Sequence, residues 1–354
     1  MCVAATPEKR ISLKACLESH GLLVNDLGNL DIYIGIRIQR DRSKRQIYLS
    51  QEEYIFKTLK AFGMEDCKPI ATPMADAKIL HGTALDPQET KHYQRLVGCL
   101  LYVMHGTRSD IAYPVIRLSQ HVAHPTFDQW LALKRILRYL KGTAFVQVCL
   151  GHHDNAAESD NFSFHAELIG FFDAAYADST NRRSTSGYLF KLFGSPISWS
   201  SKVQRTIALS TTEAEFMATT EAAKECLWII SVATQLGWGI QRPIKLFGDN
   251  QGANALTRNP EYHQRTKHID VRHRFITSLV DDGTISVVYI PSAYILADMF
   301  TKPLPKTHHE LHCQLIGLYF ISNSDLVCLK CTAIINSQKN LQRHIINEHL
   351  NKKN

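Results

Sequence analysis

No stretch of this 354-residue sequence is an uninterrupted apolar run long enough to span a bilayer. The opening MCVAATPEKRISLKACL lacks the apolar core of a secretory signal. A membrane partner is therefore not expected, and the chain reads as soluble and intracellular, cytoplasmic or nuclear. A disulfide framework is missing too. The nine cysteines are scattered, and only Cys328 and Cys331 stand close together, which is the usage of a reducing compartment. A strong excess of one charge is also lacking. The formal net charge of +7 is compatible with a nucleic-acid partner without requiring one. What is present is a 45% hydrophobic composition, enough for a buried core, and a length that suggests two or three domains.

The alternation of Ile32, Ile34, Ile36 and Ile38, a charged turn and a return through Ile47 to Leu49 predict a hairpin over 31–50. Ser50, with Glu53 three residues on, predicts a helix running to about Phe62. A Pro-punctuated connector follows. A helical pattern then runs from His92 to Gly142, broken near Thr107 and Pro125 into about three helices. The last of these carries Lys134, Arg138 and Lys141 beside an apolar stripe of Leu133, Ile136, Leu137 and Leu140. That basic stripe is either a solvated face or a track for a phosphate backbone. Residues 151–165 are polar and read as a linker. Beyond them the order is strands at 168–175, 187–193 and 196–200, a helix over about 212–236, and a strand at 243–248. A short helix after Asp249, a helix across 268–280, a strand at 284–290 and a short helix near 294–301 complete it. Strands followed by alternating helices and strands indicate an α/β fold, a mixed sheet with helices packed on it.

Four acidic residues mark the second half of this pattern. Asp173 and Asp249 end apolar, strand-like runs, Glu215 opens the long helix, and Asp298 sits in a short helical segment. Carboxylates at strand ends and helix starts can converge although distant in sequence, and a convergent set of hard oxygen donors suits a pair of Mg2+ ions. Each residue also has a plainer role open to it. Asp173 could be a surface strand terminus, and Glu215 could close a capping box with Thr212. Glu213 fits the first turn of the same helix, Asp249 could be an N-cap, and Asp298 could be an exposed helix residue.

The tail reads Cys328-x2-Cys331-x12-His344-x4-His349, the spacing of a single two-cysteine, two-histidine zinc finger, with Ile335 and Leu341 as its small core. A ββα unit of this size would fold only around Zn2+. Ser337, Asn340 and Arg343 fall where such fingers read bases, so its partner is DNA or, equally, another protein.

Several ordered blocks resemble the C-terminal part of copia-type retrotransposon Pol polyproteins. They are NDLGNLDIYIGIRIQRD, YLSQEEYIFKTLKAFGMEDCKPIATPM, YQRLVGCLLYVMHGTRSDIAYPVIRLS, LKRILRYLKGT, STSGYLFKLFGSPISWSSK, ALSTTEAEF, GDNQGANAL, HQRTKHIDVRHRFI and ADMFTKPLP. The resemblance implies a partial reverse-transcriptase thumb or connection region over 1–150, lacking the palm active site. It implies a ribonuclease-H-like domain over 166–318, and the finger over 324–354 lies outside it. By position it makes Asp173, Glu215, Asp249 and Asp298 the catalytic carboxylates, with Glu213 the lesser alternative to Glu215. The implied activity uses two Mg2+ (or Mn2+) ions to hydrolyse the RNA strand of an RNA–DNA hybrid. Lys267, His268 and Arg272, within the HQRTKHIDVRHRF block, become candidate substrate contacts together with Lys134, Arg138 and Lys141. His263, His268 and His273 are five residues apart and do not share a helical face, so no zinc site is read there.

The resemblance also marks what is missing. A Y-x-D-D turn of the polymerase palm belongs just upstream of the segment beginning near Arg10, so no DNA synthesis is expected. The Asp281-Asp282-Gly283 lookalike reads as a plain turn. Two departures from the family pattern are Asp178, in a stretch where a second Asp and a Trp are common, and Ser109, where Pro is common. A competing expectation is a non-catalytic nucleic-acid-binding remnant acting through the basic helix and the finger.

Overall fold

The computed structural model describes residues 7–26, 28–76, 82–151, 168–179, 181–249 and 267–320. The finger ligands Cys328, Cys331, His344 and His349, and the short helix expected after Asp249, lie outside the described residues.

Helix α1 (Pro7–Ser19) precedes a small sheet made of β1 (Ile32–Tyr33), β2 (Ile36–Asp41) and β3 (Gln46–Ser50). The isoleucine alternation does not continue as one strand. Ile34 (φ +49°) and Gly35 (φ +74°) turn the chain between β1 and β2, and Ile32 and Ile34 point to solvent. Helix α2 (Glu52–Ala61) starts one residue later than the pattern suggested: Ser50 Oγ accepts from the Glu52 N–H, and Glu53 instead pairs with Arg37. Helix α3 (Pro87–Gly106) starts earlier, because Asp86 and Glu89 form a complete capping box around Pro87 at the first helical position. A 3-10 turn (Ser109–Ile111), α4 (Ala112–Ser119) and α5 (Phe127–Gly142) follow.

The small sheet is completed by β4 (Gln147–Gly151) and, from far along the chain, by β10 (Leu318–Tyr319), in the order β1-β2-β3-β4-β10. The second sheet has the order β7-β6-β5-β8-β9 and is the mixed sheet expected from the sequence. Its strands are β5 (Leu168–Ala175), β6 (Thr185–Leu192), β7 (Ser195–Val203), β8 (Ile244–Gly248) and β9 (Ile285–Tyr289). The pairs β5–β6 and β6–β7 are antiparallel, whereas β8 runs parallel to both β5 and β9. Helices α6 (Thr211–Gln235) and α7 (Lys267–Asp281) supply the crossovers. Asp282 and Gly283 make the turn into β9, with Asp282 accepting from the Thr284 N–H at 2.9 Å. Two 3-10 turns (Ser292–Tyr294 and Leu296–Phe300) and α8 (Lys306–Ile316) lead to β10.

Strand periodicity assigns the two faces of this sheet. Phe172, Phe190 and Leu246 pack with α6 and α7 residues such as Phe216, Ile229 and Ile276. Phe171 and Leu189, on the other face, join one continuous core with Leu100, Ile111, Leu137, Met299, Phe300, Ile316 and Leu318. The helices of 87–142 and the mixed sheet therefore share a hydrophobic interior across the division expected near residues 150–166. Polar contacts reinforce the junction. Trp199 Nε1 donates to the Met104 carbonyl at 3.1 Å, and Arg117 Nη2 donates to the Asp178 carbonyl at 2.7 Å. Asp178, one of the two departures from the family pattern, also accepts from Thr185 at 2.9 Å, so it serves this junction.

Arg108 and Asp110 are wholly buried in a two-pronged ion pair (2.9 and 2.7 Å). Arg108 also donates to the Thr143 carbonyl at 2.8 Å, and Tyr139 Oη donates to Asp110 at 2.6 Å. The His309 ring on α8 meets Tyr139 edge-on at 5.4 Å. A buried pair this fully hydrogen-bonded is costly to break from one side, which ties the 3-10 turn, α5 and α8 together.

Candidate active site

The site is assembled by the mixed sheet. Asp173 lies near the end of the central strand β5, opposite Gly187 of β6. Asp249 follows directly on β8, the parallel neighbour of β5, so both carboxylates leave the same end of the sheet. Glu215 stands in the first turns of α6. Ligand oxygens of Asp173, Glu215 and Asp249 all lie within 4.8 Å of one another. Asp298 belongs to the second 3-10 turn, which packs onto β6 where Gly187 leaves room. A Cβ on Gly187 would stand 2.7 Å from Phe300 Cβ and 2.8 Å from Thr301 Cγ2.

The plainer roles considered from sequence can now be judged. The cap of α6 is Ser210, whose Oγ accepts from the Glu213 N–H at 3.1 Å, while Glu213 Oε2 accepts from the Leu209 N–H at 2.7 Å. Glu213 is thus spent on the helix start, and Glu215 is left free of capping. Asp173 is 3% exposed and Asp298 is 8% exposed, so neither is a surface carboxylate. The residues that would follow Asp249 as a capped helix lie outside the described residues.

Crowding buried carboxylates raises their proton affinity. Burial first, and then the charges of Asp173 and Asp249, push the Glu215 carboxyl up to about 9. Its Oε2 is buried without a hydrogen-bond partner among the described residues. Burial followed by the Asp173 charge pushes Asp298 up to about 7, against the opposing pull of Lys302. Thr301, fully buried, hydrogen-bonds the Asp173 carboxylate, and Lys302 Nζ reaches Asp298 Oδ1 at 2.9 Å. Thr301 and Lys302 are not among the residues expected from the sequence. The four-residue spacing of Asp298 and Lys302 was the available signal.

The expected substrate contacts are dispersed. Lys267 and His268 open α7, and their side chains lie outside the described residues. Arg272 borders an open cleft with Lys202, Arg205, Lys224 and Glu221, beside α6 and the end of β7. His273 is buried and stacks on Phe216 at 5.9 Å, as a core histidine. Lys134, Arg138 and Lys141 are half-buried on α5, among the helices of 87–142, and are not part of the carboxylate cluster. Lys134 sits 5.1 Å over the Trp130 ring, and Arg138 Nε donates to the Lys68 carbonyl at 2.8 Å, so both are engaged within the protein.

No family model matches the sequence. Curated relatives do. The chain is 39% identical over 304 residues to the retrovirus-related Pol polyprotein from transposon TNT 1-94 of Nicotiana tabacum, covering 84% of this chain and 22% of that protein. It is 39% identical over 293 residues to the corresponding polyprotein of transposon RE2 of Arabidopsis thaliana, covering 81% and 19%. An uncharacterized mitochondrial protein of Arabidopsis thaliana is 34% identical over 209 residues, covering 58% of this chain and 80% of that one. The chain is similar to one segment of the retrovirus-related Pol polyproteins of transposons. This Pol segment spans about a fifth of the length of the transposon polyproteins it matches. Among solved structures, the foamy viral protease-reverse transcriptase in complex with RNA/DNA hybrid is similar at TM-score 0.36 and 14% identity, covering 73% of this chain and 29% of that one. The N-terminal RNase H domain of rv2228c from Mycobacterium tuberculosis is similar at TM-score 0.30 and 11% identity, covering 42% and 97%.

Proposed function

We propose that this Pol segment is a divalent-metal-dependent ribonuclease that hydrolyses the RNA strand of an RNA–DNA hybrid. The observation that carries the reading is the convergence of Asp173, Glu215 and Asp249 within 4.8 Å at one end of the sheet, with the charges of Asp173 and Asp249 acting on Asp298. The donor set is all carboxylate oxygen, which suits Mg2+ or Mn2+ and not a thiolate-seeking metal. The fit is supported by Glu215, whose unpartnered buried oxygen and raised pKa are those of a ligand awaiting a cation. Asp173, Glu215, Asp249 and Asp298 would together hold two such ions.

When bound, a pair of divalent ions supplies an activated water and neutralises charge on the phosphate and on the leaving 3′ oxygen. The protein's own part is to hold Asp173, Glu215 and Asp249 together although they repel one another, with Asp298 adjoining them. Thr301 fixes the orientation of Asp173. Arg272, Arg205, Lys202 and Lys224 line a cleft with the charge to contact a phosphate backbone, while the Lys134, Arg138 and Lys141 stripe would be a more distant track. Recognition of the RNA strand would rest on 2′-hydroxyl contacts.

The test is incubation of the full chain with a labelled RNA–DNA hybrid and Mg2+, beside Asp249→Asn. Cleavage by the parent and none by the variant is expected. Binding without cleavage by either would favour the alternative of a non-catalytic nucleic-acid-binding remnant, for which the cationic cleft gives a physical basis.

The tail adds a second metal proposal. Cys328, Cys331, His344 and His349 have the spacing to bind Zn2+ in a finger that contacts DNA or protein. Cobalt added to the full chain should give a thiolate charge-transfer band that Cys331→Ser abolishes. An unchanged band in the variant would end that proposal.

A further inference from the structure

Two adjacent residues, Thr301 and Lys302, lie just beyond the turn that carries Asp298, and each engages a different carboxylate of the cluster. Thr301 is fully buried and donates to Asp173 Oδ2. Lys302 places its ammonium 2.9 Å from Asp298 Oδ1. The backbone fixes this arrangement, since the Thr301 and Lys302 N–H groups both donate to the Asp298 carbonyl, at 3.1 and 3.0 Å. The two tethers differ in permanence. The threonine hydroxyl is locked in the interior, whereas the lysine side chain is 45% exposed and can swing into solvent.

We propose that Lys302 is a built-in counter-cation of the metal centre, occupying the Asp298 carboxylate until a divalent ion displaces it, while Thr301 permanently positions Asp173. This inference rests on the two-ion reading above. It predicts unequal ion affinities. The ion held mainly by Asp173, Glu215 and Asp249 displaces no salt-bridged ammonium, although the Lys302 charge also bears on Asp173 and Asp249. The ion that draws on Asp298 must push Lys302 off Oδ1 and loses affinity accordingly. Lys302 thus acts through Asp298 and is a positioning residue.

The experiment is a calorimetric titration of the full chain with Mg2+, supported by Mn2+ binding followed by electron paramagnetic resonance. The parent is compared with Lys302→Met, Lys302→Arg and Thr301→Val. In the parent, one tighter and one weaker site are expected. Lys302→Met should tighten the weaker site at least about tenfold, a gain corresponding to roughly 1.4 kcal/mol, and tighten the other site by a clearly smaller factor. Its melting temperature should fall without divalent ions and return to the parent's value with them. Lys302→Arg should keep the parent's isotherm. Thr301→Val, which frees Asp173, should weaken the tighter site. Unchanged or weaker binding in Lys302→Met, or an equal loss of stability with and without ions, would reduce Lys302 to a structural salt bridge and overturn the inference. Absence of any divalent binding by the folded parent would instead remove the two-ion reading itself.

Discussion

Glu215 shows how far a single side chain can be pushed by its surroundings. Its carboxyl is raised from the usual 4.5 to about 9, first by burial and then by Asp173 and Asp249. Because the folded-state value lies above the unfolded one, the protonated form favours the folded state. That contribution is complete below about pH 4.5 and is lost as the pH rises through about 9. The metal-free protein should therefore lose stability between pH 5 and pH 9, and Glu215→Gln, which cannot ionise, should lose less. In thermal melts with a chelator at pH 8.5, the variant should melt higher than the parent, by about 2–4 °C for each kcal/mol relieved. With saturating Mg2+ the order should reverse, since the parent, with its full ligand set, gains more from ligation. A variant that melts lower than the parent at pH 8.5 with chelator present would refute this account.

At the level of helices and strands, legibility followed the strength of the local signal. The bounds of β5 were readable because Leu168–Phe172 is apolar on both faces, as a central strand packed on two sides must be. The α6 cap is ambiguous in sequence because two capping patterns overlap in LSTTEAEF, Ser210 with Glu213 and Thr212 with Glu215. Only packing decides that Ser210 and Glu213 take the helix start while Glu215 turns to the sheet. The β1–β2 turn was hidden by isoleucines that mimic one long strand, although a Gly at position 35 with positive φ was the clue. The early start of α3 was legible in Asp86-Pro87-x-Glu89 and was overlooked in favour of the apolar pattern that begins later. For the site, the four carboxylates were readable from their places at strand and helix ends. Thr301 was not, because its hydroxyl acquires meaning only once the 3-10 turn is folded against β6, whereas Lys302 left only the weak signal of its four-residue spacing from Asp298. The roles of Arg117 and Asp178 depend on a contact between segments some sixty residues apart, beyond any local pattern.

The molecule as a whole is built around a mixed sheet with a different core on each face. One face is covered by α6 and α7, the other by the helices of 87–142 together with α8. Among the described residues, no helix is long and apolar enough to cross a membrane. Since Phe171 and Leu189 of the sheet belong to the same interior as Leu100 and Leu137, neither half can unfold without uncovering the other. Denaturation of the full chain in Mg2+ should therefore be a single step. Far-ultraviolet dichroism and the fluorescence of Trp199, which sits at the junction, should share one midpoint. Two midpoints differing beyond measurement error would show that the halves are independent.

Strand β10 returns to pair with β4, Leu318 opposite Val148 and Tyr319 opposite Gln147. The polypeptide thus leaves the small sheet at Gly151, makes the entire second sheet with its carboxylates, and comes back to the point of departure. The carboxylate-bearing unit is a guest looped out of its host, entered and left through adjoining doors. A recombination event that swapped only the guest's first crossing point would leave the host's last strand orphaned. Exchange of this unit between elements is geometrically permitted only when both crossings travel together.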